Sequence, residues 1–300
     1  MSEATRTGRH SVSPAMRTGW GDIVNLTLVI LICLTMLYPF VYLLLISISP
    51  VEQVAQGGLM IIPKRIELES FRYVLRASGI GKAYGVTIIV TVAGTALSLL
   101  LTSLGAYVLA NRRLPGVEAM NVFLIITMIF NGGMIPTYIV VKTLGMIDTL
   151  YALFVPTALN TFWLFVMRNF IRGIPETLLE SARLDGCGEF GIFVRIVLPV
   201  SGAIIASLTL FYGVGYWNQY FNAIMYINST RNQPLQVLIR SMYQNNTSMS
   251  GSVVMSDTLP PPVESVRAAT IILATAPILC VYPFLQKYFT KGIMVGAIKG

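Results

Sequence analysis

Charged residues are scarce in this 300-residue chain, and this scarcity sets its class. Asp, Glu, Lys and Arg together make up 11% of the residues, hydrophobic types make up 55%, and the mean hydropathy is +0.71. A soluble globular domain carries about 25% charged residues. The composition therefore predicts an integral membrane protein that crosses the bilayer several times.

Histidine and cysteine are also rare, which narrows the chemistry available to the chain. His10 is the only histidine, and it lies in a polar N-terminal tail where a solvated side chain is expected. Cys33 and Cys280 lie in apolar runs and Cys187 lies in a polar loop, so the three thiols form no disulfide framework and no metal-ligand spacing. These absences speak against a metal site and against a histidine-dependent enzyme.

Six apolar stretches are long enough to cross about 30 Å of hydrocarbon as helices. They lack the alternation of barrel strands, so we expect an all-α membrane protein built as a bundle of six transmembrane helices. The first stretch is too long for a removable signal peptide, and we expect it to remain as an anchor. None of the stretches contains Asp, Glu, Lys, Arg or His. They are residues 23–48, 83–110, 119–141, 150–167, 196–227 and 268–286.

Polar residues divide the chain into a tail at 1–21, a transmembrane domain at 22–290 and a C-terminal tail at 291–300. The net charge of +8 comes from basic residues scattered over membrane-flanking loops. No nucleic-acid recognition fold surrounds them, so we expect contacts with lipid headgroups and none with nucleic acid. With six spans both termini share one side, and twelve Lys or Arg residues on that side against nine opposite favour cytoplasmic termini.

The polar loop at residues 172–195 has internal order. Pro175 suits the first turn of a helix, Glu176 suits the positive N-terminal end, and Asp185 with Gly186 supplies a turn that ends it. A second helix is expected directly after this turn. The loop therefore predicts a short amphipathic helix at the membrane surface, with a small apolar face for a groove on a partner.

The residues of this loop also follow a family pattern. A Glu-Ser-Ala triplet, a glycine six positions after its glutamate and a later Leu-Pro pair occur in order, with serine where alanine is usual. This spacing resembles the EAA loop of permease subunits of bacterial ABC importers, whose coupling helix sits in a cleft on the ATPase subunit. An ordinary connector between two membrane helices is the alternative. The resemblance implies ATPase coupling by Glu180, Ser181, Ala182, Asp185, Gly186, Leu198 and Pro199.

The likeness extends from about residue 23 to the end of the chain. Residues 104–107, 135–138 and 217–218 are similar to carbohydrate importer permeases of the maltose type. Residues 287–300 are most similar to the branch that serves acidic oligosaccharides, including aldouronate and alginate importers. The resemblance implies the type I ABC importer permease fold, with the loop at 172–195 as a cytoplasmic coupling helix.

The same resemblance implies a set of partners. The chain would form half of a translocation pathway in the bacterial cytoplasmic membrane, beside a second, homologous permease subunit. Two ATPase subunits would bind ATP and Mg²⁺, an extracytoplasmic solute-binding protein would deliver the sugar, and this chain would bind no cofactor. The chain lacks a Walker A sequence, which is consistent with ATP binding in other subunits. The nearest candidate is residues 79–82, and its Lys82 is followed by Ala83 where the motif requires serine or threonine.

Two further sets of residues are candidate sites. Aromatic rings beside amides suit neutral polar ligands such as sugars, whereas an interfacial aromatic belt explains the rings but not the amides. The candidate solute path is Tyr216, Trp217, Asn218, Gln219 and Asn222. The C-terminal tail is similar to the tail that reaches between the ATPase subunits in maltose-type permeases, with a frayed terminus as the alternative. The residues implied there are Gly296, Lys299 and Gly300.

Two loops on the side opposite the termini are long. The first, at residues 49–82, carries five basic and three acidic residues, so it is either a solvated loop at the headgroups or a surface for an acidic binding protein or anionic solute. The fifth, at residues 228–266, ends in three prolines and is expected to be irregular and exposed.

Two other function classes fit the bulk composition. An ion-coupled secondary transporter of a polar solute is the alternative, although such carriers usually place ionisable residues inside the membrane and the six stretches hold none. An intramembrane enzyme would need a metal motif, paired aspartates or a serine with a basic partner, and the stretches hold none of these.

Overall fold

The computed structural model describes residues 20–55, 62–76, 79–244 and 262–297, and each regular element within these ranges is a helix. The all-α class predicted from composition is confirmed. A π-helix at Phe193–Val197 and a 3₁₀ turn at Thr230–Asn232 accompany the α-helices. The α-helices are α1 (Trp20–Ser47), α2 (Val51–Ala55), α3 (Glu69–Arg76), α4 (Ile80–Ala110), α5 (Val117–Ile129), α6 (Met134–Thr143), α7 (Tyr151–Phe154), α8 (Thr161–Arg172), α9 (Glu176–Leu184), α10 (Glu189–Ile192), α11 (Leu198–Val200), α12 (Gly202–Trp217), α13 (Phe221–Tyr226), α14 (Leu235–Gln244) and α15 (Val263–Ala297).

Helix α4 occupies the centre of the bundle. It packs against α8 and α12, while α15 packs against α12 and α1. Small and hydroxyl-bearing side chains let membrane helices approach closely, and they make up most of the buried residues of α4. These residues are Ala83, Thr87, Gly94, Thr95, Ser98, Thr102, Ser103 and Ala106.

Two buried hydroxyl pairs join α4 to α12. Ser98 Oγ lies 2.9 Å from Tyr216 Oη, and Thr102 Oγ1 lies 2.8 Å from Tyr212 Oη. The two members of each helix are four residues apart, so the pairs lie one above the other along the interface. One turn before Ser98 on α4, a Cβ atom at Gly94 would lie 2.9 Å from the Tyr216 ring atoms Cε2 and Cζ. The glycine therefore allows the close approach on which the hydroxyl pairs depend.

The third apolar stretch is two helices, α5 and α6, bent by 113° around residues 130–133. Gly133 has a φ of 87°, and its N–H donates to Asn131 Oδ1 over 2.9 Å. An asparagine followed by two glycines favours such a turn over a continued helix. Residues 119–141, predicted to cross as one helix, therefore form a bent pair of helices instead.

The fourth stretch is divided between α7 and α8. Pro156 lacks a backbone donor, which stops the helix, and Asn160 then caps α8 by accepting a hydrogen bond from the Trp163 N–H over 3.2 Å. The expected continuous helix over residues 150–167 is wrong for this reason.

The fifth stretch contains two interruptions. The chain bends by 79° between the segment Glu189–Val200 and α12, just after Pro199, and α12 ends at Trp217 before α13 begins. The continuous helix expected over residues 196–227 is therefore wrong. In the described chain, the continuous helices long and apolar enough to cross a membrane are α1, α4 and the Val263–Pro283 part of α15.

Two loop regions contain packed helices. In the loop at residues 49–82, α3 packs against α4 and α15 and buries Val74. In the fifth loop, α14 buries Leu235, whose N–H donates to Thr87 Oγ1 over 2.8 Å. The prediction of an irregular, exposed loop is wrong for residues 235–244, because apolar side chains recur there at helical spacing. Residues 245–261 lie outside the described part of the chain.

Helix α1 packs against the bundle only through its last turns, where Ile46 and Ser47 are buried and contact reaches α15. Residues 20–41 are exposed throughout and mostly apolar. This part of α1 therefore presents its surface to lipid or to another subunit.

Asp148 ties the loop between α6 and α7 to the segment that follows α13. Its backbone N–H donates to Tyr226 O (2.7 Å), and its backbone carbonyl oxygen accepts from Asn232 Nδ2 (2.8 Å). Its carboxylate oxygen Oδ1 accepts from the N–H groups of Asn228 (3.0 Å) and Ser229 (2.9 Å) and from Ser229 Oγ (2.9 Å). The hydrogen bonds from Ser229 lower the pKa of the Asp148 carboxyl. Its φ of 62° is the positive φ of a non-glycine residue that asparagine and aspartate tolerate best.

We expect Gly94→Ala to destabilise the protein by about 1–3 kcal/mol, because the added methyl group overpacks the contact with Tyr216. Gly85→Ala is the matched control on the same helix, since a Cβ there meets no atom within 4 Å. It should be neutral or slightly stabilising, because alanine favours helices. Thermal unfolding in detergent measures both variants, and equal melting temperatures would contradict the close-packing assignment.

We expect Asp148→Asn to flatten the dependence of stability on pH in the acid range. Because the pKa of Asp148 is lowered in the folded state, its contribution is complete above the unfolded value of about 3.9 and is lost as the pH falls through the folded pKa. Asparagine keeps an acceptor oxygen but does not titrate. Melting temperatures recorded from about pH 6 to pH 3 should fall more steeply for the wild type. Parallel curves would show that the hydrogen bonds of the Asp148 carboxylate do not contribute to stability.

Candidate coupling loop and solute cavity

Helix α9 is defined at both ends by its backbone. Pro175 has ψ 128° and is the residue before the helix, so the prediction that it lies within the first turn is wrong. At the other end Gly186 has φ 80°, its N–H donates to Arg183 O (3.1 Å), and the Cys187 N–H donates to Ala182 O (3.0 Å). This pair of hydrogen bonds is a Schellman motif, which fixes the direction of the chain after the helix. The glycine ends the helix as predicted.

Ion pairs on the surface orient α9 against the loop between α4 and α5. The Arg113 guanidinium lies 2.7 Å from Glu176 Oε1 and 2.9 Å from Glu180 Oε1, which are one turn apart. The hydrogen bond to Glu180 and the charge of Glu176 raise the pKa of Arg113. All three side chains are exposed, so the pairs contribute more to orientation than to stability.

A second set of polar contacts ties α10 to α4. Arg183 Nε donates to Glu189 Oε1 over 3.0 Å, and the Tyr107 hydroxyl donates to Glu189 Oε2 over 2.5 Å. Tyr107 lies in the last turn of α4. The turn between α9 and α10 is therefore anchored to the central helix.

The apolar residues of this loop face two directions. The three- and four-residue spacing of Leu178, Leu179 and Ala182 predicts one shared apolar side, but Ala182 is buried and Leu179 packs against the main core whereas Leu178 is exposed, so this prediction is wrong. Leu184 is 89% exposed and Phe190 is 75% exposed, one on each side of the turn. These two side chains form the apolar tip of the loop. The sequence signal for the tip is a large apolar residue on each side of the Asp185–Glu189 turn, in an otherwise polar segment.

The other coupling candidates are distributed around α9. Glu180, Ser181, Asp185 and Gly186 are exposed on the helix or its end. Leu198 packs partly against the main core, and the exposed Pro199 follows it at the bend before α12. The Glu-Ser-Ala triplet is thus at the surface except for its buried alanine, and the Leu-Pro pair lies at the bend.

A polar cavity of about 240 Å³ lies between the broken fourth and fifth stretches. Of the five candidate path residues, Tyr216, Gln219 and Asn222 line it. Gln219 donates from Nε2 to Leu153 O over 2.7 Å, and its Oε1 is buried with no hydrogen-bond partner among the described residues. A buried acceptor of this kind suits a ligand hydroxyl group.

Sequence reasoning missed the opposite wall of this cavity, which Thr157, Asn160 and Trp163 form. The Trp163 ring stacks on Phe211 with ring centroids 4.4 Å apart. The signal for this wall is the pair of helix breakers, Pro156 and Asn160, within an otherwise apolar stretch. Rings beside amides give the cavity the composition of a sugar site.

The other two path candidates lie elsewhere. Trp217 is buried and donates from Nε1 to Ala274 O over 3.1 Å, beside an apolar cavity of about 450 Å³ between α4, α12 and α15. Asn218 is exposed and hydrogen-bonds to Val214 O (3.0 Å) and Gln236 Nε2 (3.2 Å). The structure therefore does not bring these two residues together with the other three.

The C-terminal candidates lie at the limit of the described chain. Helix α15 continues past residue 291, where the C-terminal tail was predicted to begin, and ends at Ala297, so Gly296 has a helical backbone. Lys299 and Gly300 lie outside the described residues. In the ranges that are described, no three His, Cys, Asp or Glu side chains are grouped to hold a metal ion.

Comparison with known sequences gives one family match and two informative relatives. Residues 107–295 match the family described as the binding-protein-dependent transport system inner membrane component. The chain is 42% identical, over 93% of its length and 98% of the relative, to the polygalacturonan/rhamnogalacturonan transport system permease protein YtcP of Bacillus subtilis. Protein LplC of the same organism is also 42% identical, over 87% of this chain and 89% of LplC.

A solved structure has the same fold. A chain of a bacterial ABC transporter involved in the import of the acidic polysaccharide alginate superimposes with a TM-score of 0.85 and 30% identity, over 92% of this chain and 98% of that one.

Proposed function

Because this chain belongs to the family of binding-protein-dependent transport system inner membrane components and is a permease subunit of a sugar ABC importer, we propose that it forms half of the translocation pathway for an acidic oligosaccharide and that α9 couples it to an ATPase subunit. It is a transport subunit and not an enzyme. The alternative of an ion-coupled carrier is wrong, since the family's transporters are ABC systems.

The observation that carries the coupling proposal is the apolar tip formed by Leu184 and Phe190. Two large apolar side chains on an exposed polar loop suit burial in the groove of a partner. The Schellman motif and the contacts of Arg113 and Glu189 hold this tip in one orientation, so a partner would not have to order it on binding. Glu180, Ser181 and Asp185 would surround the tip.

The proposed assembly contains four kinds of subunit in all. A second, homologous permease would cover the exposed residues 20–41 of α1. Two ATPase subunits would bind ATP and Mg²⁺, and the C-terminal residues Gly296, Lys299 and Gly300 would reach toward them. An extracytoplasmic solute-binding protein would bind at the side of the membrane opposite the ATPase subunits. This arrangement requires cytoplasmic termini in the bacterial inner membrane, which the distribution of basic residues supports.

The proposal of an acidic sugar rests on the alginate importer, with which the chain shares 30% of its residues. The polar cavity contains amides and rings, and its lining residues carry no charge, so it would contact the hydroxyl groups of a sugar. Carboxylates of the solute would instead meet basic residues of the first outer loop, where Lys64 and Arg65 are exposed.

Gly186→Val tests the coupling proposal. Valine at φ 80° is strained by about 1–2 kcal/mol or more, so the Schellman motif should open and displace the apolar tip. Gly188→Val is the control, because that residue has φ −68° and a Cβ there meets no atom within 4 Å. We expect Gly186→Val alone to lose ATP-driven uptake in proteoliposomes while remaining inserted. Wild-type uptake by this variant would sink the assignment.

Asn222→Leu tests the solute cavity. Asn222 lines the cavity, and its side chain makes no hydrogen bond with another described residue. Loss of one hydrogen bond to the solute, about 0.5–1.5 kcal/mol, should raise the KM for alginate oligosaccharide uptake about two- to tenfold.

The control for this test is Asn218→Leu, which changes an amide outside the cavity. It should leave the KM within about twofold of the wild type. Uptake of raffinose, measured in parallel, decides the substrate class. Equal KM values for the two asparagine variants would contradict the cavity assignment, whereas uptake of raffinose in preference to the alginate oligosaccharide would contradict only the acidic sugar.

A further inference from the structure

A second polar cavity, of about 390 Å³, lies where the end of α4 meets the start of α9. We call it the arginine pocket, because four guanidinium groups and one carboxylate line it. The rest of its wall is mostly apolar and includes Ile171, Ile174 and Leu179. The charged lining residues are Arg112, Arg113, Arg172, Arg183 and Glu176.

Two of these arginines, Arg112 and Arg172, lack an acidic partner among the described residues. Arg113 and Arg183 form the ion pairs described above, which occupy the nearby carboxylates. Arg112 is exposed and makes no ion pair or hydrogen bond with the part of the chain that the structure describes. Arg172 is half-buried, donates from Nη2 to Leu109 O over 3.2 Å, and leaves its buried Nε without a partner among those same residues.

The two unmatched arginines also lie near a further arginine outside the pocket. Arg112 and Arg172 both lie close enough to Arg168 for their positive charges to repel it. Like charges held close together cost free energy, and the cost is larger where a guanidinium is partly buried, as that of Arg172 is. An anion between them would remove this cost. The pocket therefore combines space, unmatched cations and an unpaired donor.

We propose that the arginine pocket binds the phosphate group of an anionic phospholipid, with Arg112 and Arg172 as the residues that contact it. Guanidinium groups form bidentate, charge-assisted hydrogen bonds with phosphate. The pocket lies at the end of the membrane-crossing α4, where lipid headgroups are found, and basic pockets between membrane helices bind such headgroups. Its apolar wall suits the glycerol and first methylene groups of the lipid.

A lipid in this pocket would link two parts of the molecule. Arg112 follows the central helix α4, whereas Glu176 and Leu179 belong to α9. A bound headgroup would thus touch both and bias the position of α9. The binding proposal itself rests on the membrane location of the chain and not on the coupling role of α9, so the two are tested separately.

The test uses the full-length chain with the subunits that copurify with it, in nanodiscs of phosphatidylcholine with a minor share of phosphatidylglycerol. Native mass spectrometry counts the phosphatidylglycerol molecules retained, in about 0.3 M salt so that diffuse attraction is screened. Arg112→Gln and Arg172→Gln are compared with the control Arg195→Gln, which removes an exposed basic residue outside the pocket. Thermal unfolding confirms that each variant is folded.

We expect both pocket variants to retain phosphatidylglycerol about tenfold less than the wild type, the equivalent of ~1.4 kcal/mol, and Arg195→Gln to match the wild type. Equal retention by all variants, or an equal loss in all three, would overturn the proposal. Displacement of the lipid by millimolar inorganic phosphate would overturn the lipid source and indicate a soluble phosphate ligand. Loss of a copurifying subunit with unchanged lipid retention would identify the pocket as a protein contact, which also overturns it.

Discussion

Buried hydroxyl pairs hold α12 against α4, and further helices pack around this pair, α8 on α4 and α15 on α12. Inside a bilayer the hydrophobic effect does not drive helices together, so close contact and hydrogen bonds must do so. Ser98 and Thr102 supply hydroxyl groups to Tyr216 and Tyr212, and Gly94 allows the approach. Because α4 also contacts α8, and its last turn reaches Glu189, the same helix positions both the polar cavity and the turn after α9.

The breaks in the apolar stretches are what give the bundle its polar interior. A continuous membrane helix satisfies its own backbone and offers little to a polar solute, whereas interrupted helices are tolerated only where protein or a cavity receives the freed groups. The break between α7 and α8 places Asn160 on one wall of the cavity, and the break after Trp217 places Gln219 and Asn222 on another. Specific polar groups thus line this cavity without an Asp, Glu, Lys, Arg or His side chain among its lining residues.

The sequence allows the class, the apolar stretches and the loop at α9 to be predicted, because hydropathy and turn residues are local signals. Gly186 ends α9 as its position after Asp185 indicates. The breaks at Gly133 and Asn160 override hydropathy, which averages over a window and does not register one helix-breaking residue. Periodicity likewise could not tell that Trp217 faces Ala274 while Gln219 faces the cavity, since only tertiary packing decides the direction of each side chain.

The double contact of Arg113 makes any charged docking on α9 an exchange reaction. Its guanidinium already contacts one oxygen of Glu176 and one oxygen of Glu180, so a cation that a partner brought to either carboxylate would compete with it. One exposed ion pair then replaces another, with little net electrostatic gain. In the proposed coupling role, affinity would come mainly from burial of Leu184 and Phe190, while the carboxylates would disfavour partners that bring acidic side chains to α9. A partner of this loop would thus be selected through charge and held through burial of the two apolar side chains.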